Sequence, residues 1–138
     1  MDIQFENSIT PKEYNDLREK IGWKPHDLKR VEEAIKSSRF VKKVVVNHET
    51  IGMARVISDG IYAFVVDVII SPNYQNKGIG KKLMQELLDE IEKSIKEGEA
   101  MSVNLVSMAG KEEFYEKCGF QRIPYEYTGY GMKKVVEK

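Results

Sequence analysis

Ser71-Pro72-Asn73-Tyr74-Gln75-Asn76-Lys77-Gly78-Ile79-Gly80-Lys81-Lys82 is the stretch on which the fold turns. Before it runs Val68-Ile69-Ile70. After it Ile79, Leu83, Leu87, Ile91 and Ile95 recur every four residues, with Met84 and Leu88 widening the stripe. The apolar run reads as a buried strand and the four-residue recurrence as an amphipathic helix, ended by Gly98. The glycines therefore lie between a strand and the start of a long helix. The first N–H groups of a helix have no intrahelical partner and stand at the positive end of its dipole. Glycine lets a ligand approach the backbone closely. With Lys77, Lys81 and Lys82 adding positive charge, the loop reads as a cradle for phosphate or pyrophosphate. The plainer alternative is a bare turn.

Specific residues count against two common nucleotide loops. A Walker A loop needs G-x-x-x-x-G-K-[ST]. Reading back from Gly80-Lys81, its first glycine position is Gln75 and its last position is Lys82. A dinucleotide fingerprint needs G-x-G-x-x-G. Gly78 and Gly80 fit it, but the third glycine position is Leu83.

Working outward, the strand upstream spans Ile61 to Ile70 and is apolar on both faces, which places it centrally in a sheet. Asp67 interrupts it. A buried carboxylate needs hydrogen bonds, so Asp67 is either a general base or a structural aspartate. Val41–Val46 and Ile51–Ile57 are β-rich and joined by Asn47-His48-Glu49-Thr50, a hairpin pattern. Ile3 and Phe5 alternate with polar neighbours as a first strand. Thr10-Pro11-Lys12-Glu13 reads as a capping box opening a helix with Tyr14, Leu17 and Ile21 on one face. Asp27 caps a second helix with the face Leu28, Val31 and Ile35. Downstream, Met101–Val106 reads as a strand and Lys111–Lys117 as a short helix with Phe114 and Cys118 inward. Phe120–Val136 reads as two further strands. The order β-α-α-β-β-β-α-β-α-β-β describes one mixed α/β domain over residues 1–138, in three layers.

Composition narrows the function classes. The 138 residues carry 22 Lys plus Arg and 22 Asp plus Glu, a net charge of zero. A broadly nucleic-acid-binding surface is usually strongly basic, so no nucleic-acid partner is expected. A local field in one loop still suffices for an anionic ligand. The hydrophobic fraction of 41% supports a packed core. The single cysteine, Cys118, cannot form an internal disulfide, which points to the cytoplasm. The longest apolar stretch, Ile61 to Val66, is far below the ~20 residues of a membrane helix, and no membrane partner is expected. His26 and His48 make no metal pattern with Cys118, so no metal is expected.

The chain resembles the GNAT superfamily of acetyl-CoA-dependent N-acetyltransferases. The family signature Q/R-x-x-G-x-G/A stands as Gln75-Asn76-Lys77-Gly78-Ile79-Gly80, after Val68-Ile69-Ile70 and Pro72. A second family block stands as Phe114-Tyr115-Glu116-Lys117-Cys118-Gly119-Phe120. The resemblance implies that acetyl-CoA is the acetyl donor. It implies that Val68, Ile69 and Ile70 hold the pantetheine arm through their backbone. Gln75, Asn76, Lys77, Gly78, Ile79, Gly80 and Lys81 would hold the pyrophosphate. Tyr115 matches the family tyrosine that protonates the leaving thiolate while an amine attacks the thioester directly. Asp67 is the candidate for the base. Met108 and Lys111 depart from the family's usual Asn and Ala, leaving Ser107 or Asn104 as substitutes. The acceptor is expected to be a primary amine of a small molecule. The alternatives are a protein or peptide amine, and a non-catalytic acyl-CoA sensor. The resemblance also allows a homodimer.

Overall fold

The computed structural model describes Met1–Lys138, which divide into two compact units, Met1–Val106 and Ser107–Lys138. The first unit is built on a sheet of five strands in the order β1-β2-β3-β4-β5. They are β1 (Ile3–Glu6), β2 (Phe40–Val46), β3 (Glu49–Ser58), β4 (Tyr62–Ile70) and β5 (Ser102–Asn104). The first four pair antiparallel, β2 to β4 through short turns and β1 to β2 across the two helices between them, and β5 joins β4 in parallel. A parallel neighbour needs a crossover, and α3 (Ile79–Ser94) supplies it.

Two neighbouring lysines of β2 show that the sheet is covered on both faces. Successive strand residues point to opposite sides. Lys43 pairs with Glu13 of α1 (Pro11–Lys20) at 3.0 Å, whereas Lys42 pairs with Glu90 of α3 at 3.3 Å. On the α1 side the core comprises Ile9, Tyr14, Leu17, Met53 and Ile69, with Val31 from α2 (Leu28–Lys36). On α3 the buried residues are Ile79, Leu83, Met84, Leu87 and Ile91, the stripe expected from the spacing. The helix stops sooner than expected: Ile95 is extended at φ −97°, ψ 154°. The Ser94 hydroxyl donates to the Ile91 carbonyl at 2.6 Å, an alternative to continuing the helix.

Helix α1 begins at the expected capping box. The Glu13 N–H donates to the Thr10 hydroxyl at 3.1 Å, and the Thr10 N–H donates to Glu13 Oε1 at 2.9 Å. The other Glu13 oxygen accepts from Lys43 Nζ and from the Thr50 hydroxyl. Burial alone pushes this carboxyl up, but the bonds from Thr50, Thr10 and Lys43 together outweigh it and hold the pKa at about 2, against 4.5 for a free glutamate. The folded value lies below the unfolded one. Glu13 therefore contributes its stability in full above pH ~4.5 and loses it as the pH falls toward ~2. Thermal midpoints measured from about pH 5 to pH 2 should fall less steeply in Glu13→Gln than in the parent. Equal slopes would show that this carboxyl is not linked to folding.

The second unit contains α4 (Glu112–Lys117). No strand forms between Phe120 and Val136, so the last two strands of the expected order are corrected. Every residue from Gln121 to Lys138 is exposed. Tyr125 and Thr128 close a turn instead, with the Thr128 N–H donating to the Tyr125 carbonyl at 3.0 Å. Alternation makes a strand only where a ladder partner and a face to bury exist, and an isolated hairpin is marginal in water. Pro124, Gly129 and Gly131 weaken it further. The strand expected over Met101–Val106 is likewise only Ser102–Asn104. No helix is long and apolar enough to cross a membrane.

Candidate active site

The end of β4 leads into a 3₁₀ turn, Pro72–Tyr74, and then into the loop before α3. Gln75 anchors that loop by donating from Nε2 to the Ile70 carbonyl at 2.9 Å. Asn76 and Gly78 both take left-handed backbone, at φ 62° and 80°. A Cβ on Gly78 would meet nothing within 4 Å, so its requirement is conformational, not spatial. No side chain caps α3 at Gly78, and the first bond across the helix start is Lys82 N–H to Gly78 C=O at 3.3 Å. The N–H groups of Ile79, Gly80 and Lys81 therefore have no protein acceptor. Lys81 and Lys82 are exposed, and Lys77 Nζ lies 5.9 Å from the centre of the Tyr74 ring. Uncapped N–H groups, a positive dipole end and exposed lysines are together the features that attract an anion.

Strand β4 has an open edge beside this loop. Its ladder with β5 covers Tyr62, Ala63 and Phe64 only, so beyond Phe64 the strand pairs with β3 alone, through Val65, Val66, Ile69 and Ile70. Arg55 pairs with Val66 and Met53 with Ile69, so β4 carries one extra residue there. Asp67 sits in that bulge at φ 54°. A bulge leaves a backbone group outside the ladder and re-aims its neighbours. On the β3 side, a Cβ at Gly52 would stand 2.7 Å from Ile70 Cδ1 and 3.1 Å from the Ile69 carbonyl oxygen. Glycine there lets β3 approach the end of β4 closely.

The Asp67 side chain is held by three residues. Its Oδ2 accepts from the Tyr14 hydroxyl at 2.6 Å and from Arg55 Nε at 2.8 Å, and Oδ1 faces Arg18 Nη1 at 3.6 Å. Burial, and then the bond to Asp67, push the Tyr14 phenol above its ordinary pKa, so it stays protonated and keeps donating. Arg18 also donates from Nε to the Lys24 carbonyl at 2.9 Å and stacks 5.2 Å from the Trp23 ring. Asn15 clips the same loop to α1 by bonding both the N–H and the C=O of His26. The sequence placed Tyr14 on a core face and gave no role to Arg18 or Arg55. The one signal of their presence was a carboxylate in an apolar strand, which requires partners without saying which.

In the second unit Tyr115 is half-buried on α4, edge-on to Phe114 at 5.0 Å and to Phe120 at 6.1 Å. Its carbonyl accepts from the Cys118 and Phe120 N–H groups at 3.0 Å each. Burial, with Cys118 nearby, pushes its phenol above the ordinary tyrosine value. Asn104 closes β5 opposite Phe64, with its amide turned toward Ser102 Oγ at 3.1 Å. The Ser107 hydroxyl donates to the Met108 carbonyl at 2.8 Å.

Residues 38–122 match the family model described as an acetyltransferase (GNAT) domain. An uncharacterized N-acetyltransferase, ycf52, of Pyropia yezoensis is 30% identical over 127 residues, covering 88% of this chain and 71% of its own length. A protein of unknown function from meticillin-resistant Staphylococcus aureus, described as a probable acetyltransferase, superposes with a TM-score of 0.82 at 24% identity, over 96% of this chain and 100% of that one. A GNAT family acetyltransferase from Streptococcus pneumoniae TIGR4 superposes with a TM-score of 0.79 at 25% identity, over 99% and 98% of the two chains.

Proposed function

Because this chain belongs to the GNAT superfamily and is an acetyl-CoA-dependent N-acetyltransferase, we propose that it acetylates a primary amine of a small molecule by direct attack, with Tyr115 as general acid. The observation that carries the donor site is the open edge of β4 running into an uncapped helix start. Acetyl-CoA supplies a thioester carbonyl as electrophile and a thiolate as leaving group. Its extended pantetheine arm suits a strand edge that ends its ladder at Phe64, where Val68, Ile69 and Ile70 offer backbone groups much as a sheet edge accepts a peptide. Its pyrophosphate suits the N–H groups of Ile79, Gly80 and Lys81 with the charges of Lys77 and Lys81. Gln75 and Asn76 hold the loop in the shape that presents them.

Tyr115 is assigned to the leaving group on its family block and on its phenol, which keeps its proton at neutral pH. Of the two roles open to Asp67, two hydrogen-bond donors on Oδ2 and the Arg18 cation facing Oδ1 support the structural one: it holds the bulge in β4. A small acceptor is favoured because the Trp23–His26 loop is tied down to α1 beside that bulge, a fixed wall on the Asp67 side. The single cysteine supports a reducing compartment such as the cytoplasm.

A thiol-release screen across amine classes, with acetyl-CoA as donor, tests this. The expected result is turnover with a subset of small primary amines and slower release with peptides. Faster release with peptides would move the acceptor to protein. Acetyl-CoA binding without product from any amine would replace the enzyme by a sensor.

A further inference from the structure

The half-buried cluster at the β4 bulge does not balance its charge. Arg18 and Arg55 have side chains only 14% and 15% exposed, and both pair with the one carboxylate of Asp67. No other acidic side chain forms an ion pair with either. Two guanidinium charges against one carboxylate leave a surplus positive charge where burial makes an unpaired charge costly.

Their hydrogen bonding is also incomplete. A guanidinium has five N–H donors. Arg55 spends Nε on Asp67 and Nη1 on the Ser38 hydroxyl at 3.2 Å. Arg18 spends Nε on the Lys24 carbonyl and turns Nη1 toward Asp67. The Nη2 groups of both bond to no protein atom, and no such nitrogen is sealed from solvent. Both guanidinium carbons lie 5.9 Å from the Tyr14 ring, and Arg18 also stacks on Trp23. Stacking, the backbone bond of Arg18 and the side-chain bonds of Arg55 to Asp67 and Ser38 hold the forks in place before a ligand arrives. The cluster shares its carboxylate with the bulge, beside the strand edge assigned to the acetyl donor.

We propose that Arg18 and Arg55 form a subsite for an oxyanion carried by the amine acceptor, so that the substrate is an amine bearing a carboxylate or a phosphate. This rests on the acetyl-transfer assignment above. The guanidinium fork suits either oxyanion, because both offer two acceptor oxygens to parallel N–H donors. Arg18 is the specificity residue of the pair. It stands farther from Asp67, which keeps Arg55 at 2.8 Å and Tyr14 at 2.6 Å if Arg18 is shortened.

The test uses the full chain and matched acceptors: an α-amino acid against its amide, and an amino sugar phosphate against the unphosphorylated sugar. The charged member of at least one pair should give about tenfold or higher kcat/KM, the size expected of a charged hydrogen bond. Preference in the first pair identifies carboxylate, in the second phosphate. Arg18→Gln should bring the ratio to about one, with the thermal midpoint and the KM for acetyl-CoA read alongside. Arg18→Lys, which keeps the charge and loses the fork, should fall between. Equal use of both members in both pairs, or a ratio unchanged in Arg18→Gln, would overturn the subsite. Calorimetric binding of the N-acetylated acid against its amide reads the same subsite without turnover. Absence of product together with acid-selective, Arg18-dependent binding would sink the enzyme assignment and leave the subsite standing. Failure to bind the acid selectively would sink the subsite alone.

Discussion

Gly80→Asp is expected to lower acetyl-CoA affinity by at least about 100-fold while the chain stays folded. Gly80 is the second residue of α3, where N–H groups face outward with no protein acceptor. An aspartate there would set a carboxylate against the pyrophosphate proposed for this loop. Two like charges about 4 Å apart repel by ~4 kcal/mol at the effective dielectric of a protein surface, and a 100-fold loss requires only ~2.7 kcal/mol. The sign for stability is opposite. An acidic residue in the first turn interacts favourably with the helix dipole, by ~0.3–1 kcal/mol, and leaving glycine also favours helix. The variant should therefore melt at or above the parent temperature and still fail to bind. Calorimetry with CoA, beside a thermal melt, checks both halves. Parent-like affinity would remove the pyrophosphate from this loop. A lowered melting temperature would leave the helix-dipole argument wrong.

Tyr115→Phe is expected to lower kcat by about 10²- to 10⁴-fold, the usual range for a positioned acid or base, with the Kd for CoA held. The change removes one hydroxyl from a residue packed between the edges of two phenylalanines, so the ring contacts persist. Because burial raises the phenol's pKa, the parent holds the proton through neutral pH and loses it only in alkali. The parent kcat profile should therefore fall on the alkaline side, and Tyr115→Phe should lack that fall. Turnover unchanged at saturating amine would take Tyr115 out of the mechanism. A matched loss of CoA affinity would make it a binding residue.

Short-range chemistry was readable from the chain alone. The capping box at Thr10 and Glu13, the Asp27 cap, and the stripe from Ile79 to Ile91 formed where residue type and spacing placed them. Each depends on neighbours within one or two helical turns. Both family blocks were legible for the same reason: Gln75 to Gly80 and Phe114 to Phe120 are contiguous. Residues 120–136 marked the limit. Their alternation resembles strand, but a strand is a property of the pair, and none of these residues is in a ladder.

The chain by itself therefore determined the mixed α/β class, the strand–loop–helix order around Gly78 and Gly80, and the family resemblance. Backbone preference and hydrophobic period act locally and survive without knowledge of the partner. Only the tertiary structure decided what Asp67 does. Its partners lie far off in sequence, Tyr14 by 53 positions and Arg55 by 12. They meet it because α1 packs on the sheet face toward which the extra residue in β4 turns the carboxylate. One inserted residue reverses which side chains face which layer. Neither that reversal nor the surplus arginine charge it gathers can be computed from spacing along the chain.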